Sequence, residues 1–221
     1  MSGSIVISGY AETRRDRPLD ISVSSGEVVV VASGPGTGKS QLASRLAGLG
    51  KPRSGKLLVC GAPAGSLEAM SSALFLLQPP FLDPAGEVFR QILNRLASRD
   101  TRPREELADL LARWCDRAGL VDAAKRRAGS LPAGIRGEFV LSMLDLSKFD
   151  AAVLDDPLKG LSETAAVRAV RSVCAAASRA AVMVLTSDPV RFQGSGARIM
   201  RLEPGAARLA MRAEGAGGSV R

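Results

Sequence analysis

The sequence predicts an α/β fold with a mixed sheet and an all-helical insertion, and three observations carry that reading. Val28 to Ala32 is an unbroken apolar run, mostly valine, that stops at a glycine-rich loop, the pattern of a strand buried on both faces. Directly after the loop, Leu42, Leu46 and Leu49 recur at helical spacing, and Gly48 and Gly50 then stop the helix. Residues 84–146 carry long helical periodicities, whereas the apolar runs on either side are of strand length.

The remaining elements follow in order. Strands are predicted at Lys56 to Cys60, Leu74 to Leu77, Ala151 to Leu154 and Ala181 to Leu185. Between the second and third of these, Val88, Ile92, Leu93 and Leu96 share one helical face, and Leu107, Leu110, Leu111 and Trp114 share another. The loop Ser98 to Pro103 separates the two. A third helix follows the Gly134 region with Phe139, Val140, Met143 and Leu144 inward. A last pair of strands, Arg198 to Leu202 and Arg208 to Met211, flanks a Pro204–Gly205 turn. The boundaries are 1–83 for the first part of the core, 84–146 for the helical insertion, 147–213 for the rest of the core, and 214–221 for a glycine-rich tail.

Composition narrows the function classes. Hydrophobic residues make up 46% and charged residues 24%, an ordinary soluble balance, and aromatics are only 4%, so Leu, Val and Ala must build the core. No run approaches the ~18 to 20 apolar residues of a membrane span, and the N-terminus lacks the basic flank and apolar core of a signal peptide. The expected location is cytoplasmic. Cys60, Cys115 and Cys174 form no CxxC pair and sit among apolar neighbours, which reads as buried free thiols. With no histidine, a histidine general base or a histidine-rich metal site is excluded. The net charge of +8 includes clusters at Arg14–Arg15–Arg17 and Lys125–Arg126–Arg127. No aromatic residues interleave with them to stack on bases, so nucleic acid is not the expected partner.

The chemistry begins at Ser33-Gly34-Pro35-Gly36-Thr37-Gly38-Lys39-Ser40, which matches a phosphate-binding loop except that Ser33 replaces its first glycine. Backbone N–H groups must converge on phosphate oxygens without obstructing side chains, hence Gly34, Gly36 and Gly38. The following helix N-terminus adds a positive dipole end. Lys39 would reach the β- and γ-phosphates, and the Ser40 hydroxyl would ligate Mg²⁺. The alternative is a glycine-rich turn that binds nothing. The loop alone leaves several families open, and Gly-Pro-Gly-Thr-Gly-Lys also looks like loops of AAA+ proteins.

Spacing then points to one family. Leu131-Pro132-Ala133-Gly134-Ile135-Arg136 stands where ATP-binding-cassette (ABC) proteins carry a Leu-Ser-Gly-Gly-Gln signature. Asp155, in Leu154-Asp155-Asp156-Pro157, lies twenty-four positions after Leu131. That segment resembles the family's Walker B Leu-Asp-Glu-Pro at its usual separation. Gly160–Leu161–Ser162 falls at the D-loop, Gln78 at the Q-loop and Thr186–Ser187–Asp188 at the H-loop. Tyr10 stands at the adenine-stacking A-loop position, ahead of Leu19 to Glu27, and Ala47 to Gly55 resembles the segment after the P-loop helix. Tyr10 could also be a half-buried surface aromatic, and Gln78 a polar strand end. The resemblance is collinear over nearly the whole chain and implies a P-loop NTPase core of ABC type.

It also implies ATP and Mg²⁺ as ligands. ATP would lie on Tyr10, Ser33, Gly34, Pro35, Gly36, Thr37, Gly38, Lys39, Ser40 and Gln41, the metal on Ser40, Gln78 and Asp155, and the hydrolytic chemistry on Asp156, Gln78 and Ser187. In the family two cassettes sandwich ATP head to tail, so a second cassette, homo- or heterodimeric, is an implied partner. Here Asp156 is one methylene shorter than the family's glutamate, on the order of 1 Å less reach, and such an error can cost ~100-fold in rate. Ser187 replaces a histidine, Ser162 an aspartate that it can exchange for a helix cap, and Pro132 a serine. The expected function is the ATP-binding subunit of a transporter, slow in hydrolysis and peripheral at the inner face of the membrane. Its permease would be a separate chain seated on Phe81 to Phe89. The alternative is an ATP-dependent switch or assembly protein acting on a soluble complex.

Overall fold

The computed structural model describes residues 4–13, 17–78 and 82–202. Nine strands and seven α-helices are assigned there: β1 (Ser4–Ala11), β2 (Leu19–Ser24), β3 (Val28–Ala32), α1 (Lys39–Leu46), β4 (Ser54–Val59), β5 (Ala62–Pro63), α2 (Leu67–Ser72), β6 (Ala73–Leu76), α3 (Val88–Ala97), α4 (Arg104–Ala118), α5 (Val121–Ala124), α6 (Ala133–Leu146), β7 (Ala151–Asp155), α7 (Glu163–Ala177), β8 (Ala181–Thr186) and β9 (Arg198–Arg201). They form two sheets. One is antiparallel in the order β2-β1-β4-β5, and the other is parallel in the order β6-β7-β8-β3-β9. The mixed character expected from the sequence is thus divided between two sheets.

Strand β3 is buried along its whole length because the parallel sheet is covered on both faces. Val30, Leu154, Val182 and Val184 face the helices α3, α6 and α7, while Val29, Val31, Val153, Met183 and Leu185 face α1 and the antiparallel sheet. The alternation follows the period of two along each strand. Helix α6 is buried from Glu138 to Leu144, as befits a helix apolar on nearly all sides. Among the described residues, the elements between β6 and β7 are helices, with a 3₁₀ turn at Ala128–Ser130 and one isolated bridge of Glu87 with Arg127.

Local chemistry sets the element ends. Ser66 and Ser162 accept from Ala69 N and Ala165 N and so cap α2 and α7, and Gly119 takes the left-handed conformation that ends α4. The turn from β4 to β5 has positive φ at both Cys60 and Gly61, as a two-residue type I′ hairpin needs. Asp100, its side chain wholly buried, accepts from Arg102 Nε and Nη2 at 3.0 and 2.7 Å, and Arg102 also reaches Leu146 O. This pair ties the loop before α4 to the end of α6.

Several expectations change. Leu49 was expected to continue the inward face of the first helix, but α1 ends at Leu46 and Leu49 is 60% exposed. The backbone turns away at Gly48, which has φ 77°. Strand β9 pairs in parallel with β3 at the sheet edge, while Pro204–Gly205, Arg208 to Met211 and 214–221 lie outside the described residues. All three cysteines are free. Cys60 and Cys115 are buried and Cys174 is half-buried. Among the described residues no helix is long and apolar enough to cross a membrane.

Candidate functional site

Four parallel strands deliver their carboxyl ends to one edge of the sheet, where open α/β sheets place ligands. Ser33 follows β3, Gln78 follows β6, Asp155 ends β7 with Asp156 just beyond, and Ser187 follows β8. Ser33 N donates to Thr186 O and Asp156 N to Leu185 O, so neighbouring strand ends are bonded where the polar residues emerge.

The glycine loop is braced from inside. Ser33 Oγ and Thr37 Oγ1 are 2.6 Å apart, and Thr37 Oγ1 donates to Gly34 O at 2.7 Å. Gly36 and Gly38 have φ of 75° and 87°, which a residue with a Cβ rarely adopts, and Gly38 is the residue from which α1 starts. Lys39 is buried, its ammonium donating to Ser33 O and Gly34 O at 2.8 Å each. An ammonium carries three donors, so one remains for an anion at the loop. Pro35, Ser40 and Gln41 lie on the exposed side. The bracing role of Ser33 escaped the sequence reading, although its spacing of four from Thr37 was visible there.

Asp155 is 2% exposed and its Oδ1 has no hydrogen-bond partner. Burial raises its pKa above the ordinary carboxylate value, the Asp156 charge adds to that, and the Ser40 hydroxyl and the Lys39 charge oppose it. An unpaired buried carboxylate oxygen close to a hydroxyl fits a hard divalent cation. Among the described residues no cluster of three or more His, Cys, Asp or Glu could hold a metal alone. The donor set therefore suits Mg²⁺ arriving with phosphates, which commonly uses only one or two carboxylates.

Gln78, Asp156 and Ser187 come together. Gln78 Nε2 donates to Asp156 O at 3.2 Å. Asp156 Oδ1 accepts from Ser187 N at 2.9 Å and from Ser187 Oγ at 3.3 Å. Asp156 also has φ 42°, a left-handed backbone that aspartate tolerates better than most residues. Its carboxylate is thus tied to the H-loop position.

Tyr10 behaves otherwise. Tyr10 is 8% exposed within the core beside the antiparallel sheet, and its hydroxyl donates to Glu12, which also pairs with Arg45. A stacking base needs an open ring face, and the ring as placed is core. The segment at the signature position begins α6 with Pro132 just before it, and proline supplies neither the hydroxyl nor the N–H of a serine, as the sequence implied. Arg136 Nη1 donates to Leu131 O at 2.7 Å, and Gly134 presses on the turn at Gly160, where a Cβ would lie 2.1 Å from the carbonyl oxygen. The pair of buried Glu138 with exposed Arg168, 2.6 Å, joins α6 to α7 and was not read from the sequence.

The profile of the family described as ABC transporter matches residues 17–159, from before β2 to just past the Asp155–Asp156 pair. The chain belongs to this family. Among curated proteins it is 33% identical over 161 residues to the taurine import ATP-binding protein TauB of Sinorhizobium fredii, covering 69% of this chain and 56% of that one. It is 28% identical over 158 residues to a putative ABC transporter ATP-binding protein of Halobacterium salinarum, covering 71% and 68%. The match to the sn-glycerol-3-phosphate import ATP-binding protein of Chromohalobacter salexigens, 31% identical over 144 residues and 65% of this chain, spans only 39% of that relative. Of solved structures, the ADP- and phosphate-bound dimer of the ATP-binding cassette MJ0796 superposes with TM-score 0.77 at 17% identity, covering 94% of this chain and 98% of that one. As an ABC family member the chain has a nucleotide-binding P-loop NTPase fold.

Proposed function

We propose that the chain is the ATP-binding subunit of an ABC transporter, coupling ATP binding and slow hydrolysis to a separate membrane permease. The observation that carries this reading is the convergence of the braced loop, Lys39 and the Asp155 carboxylate, with its unpaired Oδ1, at the carboxyl ends of the parallel strands. ATP lies on residues 33–41, with its phosphates at the loop N–H groups and Lys39. Ser40, Asp155 and Gln78 would hold Mg²⁺, which would supply neutralising charge for the phosphates. Asp156 orients the attacking water, as a carboxylate can, but from a shorter arm and with one oxygen already engaged by Ser187. The rate should be low for that reason. Adenine stacking on Tyr10 would require the ring to leave its core setting, so the base seat carries no weight here.

A second cassette, identical or different, completes the site in a head-to-tail dimer. The Asp156–Ser187 contact and Pro132 also favour a second reading, an ATP-dependent switch on a soluble complex in which binding closes the dimer and hydrolysis only resets it. One experiment separates the two. ATP turnover and ATP-dependent dimerisation are measured on wild type, Lys39→Ala and Asp156→Asn. The transporter reading expects slow turnover that both substitutions abolish. Dimerisation with ATP but no turnover above the Asp156→Asn background supports the switch, and wild type that binds no ATP overturns both.

A further inference from the structure

Helices α4, α6 and α7 leave a cleft of about 230 Å³ between them. Its apolar lining comes from Ala118 of α4, Leu141 of α6, and Ala165 and Ala169 of α7. Alanine side chains are too short to fill the gap between the helices, so the space stays open. Trp114 of α4 also lines it, with its ring held in place by two contacts. Its Nε1 donates to Asp145 Oδ2 at 2.9 Å, and its centroid lies 6.2 Å from that of Phe139. Trp114 is the only tryptophan of the chain.

Five charged side chains line the same cleft. Glu138 and Arg168 pair at 2.6 Å and cancel each other. Asp145 has one carboxylate oxygen engaged by Trp114. Arg117 and Arg171 are exposed, and neither makes a hydrogen bond or ion pair among the described residues. Two free guanidiniums against one carboxylate leave a single positive charge in excess. An apolar lining with a few polar groups to fix orientation is the make-up of a small-molecule site. None of these residues belongs to the nucleotide loop or to the group of Gln78, Asp155, Asp156 and Ser187.

We propose that this cleft binds a small organic acid, with its carboxylate on Arg117 and Arg171 and its apolar body between Trp114, Leu141 and the alanines of α7. A guanidinium presents paired donors that match a carboxylate, and two of them line this cleft without a partner. The excess of one positive charge selects a single acid group. An amine would meet two cations, and a neutral ligand would leave both guanidiniums unanswered. The volume falls below the about 300–1,000 Å³ of sites for drug-sized ligands, so the occupant is compact. The inference goes beyond the transporter reading and does not depend on it.

The test titrates hexanoate and hydrocinnamate into the full chain without nucleotide, with hexanamide and hydrocinnamamide as uncharged controls. Trp114 fluorescence reports from the cleft itself, and calorimetry of the same mixtures detects binding that leaves the ring unperturbed. The acids are expected to bind saturably and the amides not. The Arg117→Gln/Arg171→Gln double variant should weaken the acids about tenfold, the combined loss of two exposed charge pairs. Arg113→Gln, on the same helix but outside the cleft, should leave them unchanged. Ala118→Leu, which puts bulk into the cleft, should weaken them with both arginines in place, and melting curves verify that each variant folds. The proposal is overturned if neither acid binds wild type, if the amides bind as well as the acids, or if the double variant keeps wild-type affinity. Failure here leaves the nucleotide reading standing, because no ATP is present.

Discussion

In the proposed mechanism Asp156 is the constraint. Its Oδ1 accepts two bonds from Ser187, and its side chain is one methylene short of the glutamate usual at that position in the family. Lengthening it should bring an oxygen nearer the attacking water. Asp156→Glu is therefore expected to raise ATP turnover about tenfold, by the same reach argument that predicts the loss, and a steady-state phosphate-release assay checks it. Asp100 supports a prediction of another kind. Its hydrogen bonds to the Arg102 side chain and backbone hold its pKa down to about 2. A carboxyl depressed on folding stabilises the native state above its ordinary value of 3.8, and that stabilisation is lost as pH falls through the folded value. Asp100→Asn should cost about 1–3 kcal/mol at pH 7, and the cost should shrink toward pH 2.5, as urea titrations at the two pH values would report.

At the scale of elements, legibility followed periodicity. β3 was read with its observed bounds, and β6, β7 and β8 to within a residue or two, because each is a continuous apolar run buried on both faces. The inward residues of α3 and α6 were also read correctly, since their spacing is that of a helix. Strands β1 and β2 were not assigned as strands. They sit in an antiparallel sheet with one polar face, where alternate positions such as Asp20, Ser22 and Ser24 dilute the apolar signal. The residues of the loop, Gln78, Asp155, Asp156 and Ser187 were legible because a glycine loop and strand ends mark them. The burial of Tyr10 and the tie from Ser187 to Asp156 depend on tertiary placement and left no local pattern.

Gly134 is the clearest element-level constraint. The start of α6 and the Gly160 turn touch backbone to backbone there, and an added Cβ would lie 2.1 Å from Gly160 O, closer than any real contact. Gly134→Ala is predicted to destabilise the protein by about 1–3 kcal/mol, since overpacking must push the two segments apart. A melting curve without nucleotide reports the change. An unchanged melting temperature would mean that the contact yields freely.

For the whole molecule, the parallel sheet gathers the polar strand ends, and the start of α6 packs against the Gly160 turn that follows β7. Nucleotide should therefore stabilise the entire fold and not one loop. Saturating Mg²⁺ and ATP at about 100 times Kd should add about 2.7 kcal/mol to unfolding, visible as a rise in melting temperature that Asp155→Asn reduces. The most direct test of the central claim is a calorimetric titration of Mg²⁺ and ATP into wild type and Lys39→Ala. The account predicts binding to wild type, and binding at least ~30-fold weaker in Lys39→Ala, the loss expected from removing a charge-assisted bond worth about 2 kcal/mol. Absence of binding to wild type, or equal binding by the two proteins, would contradict it.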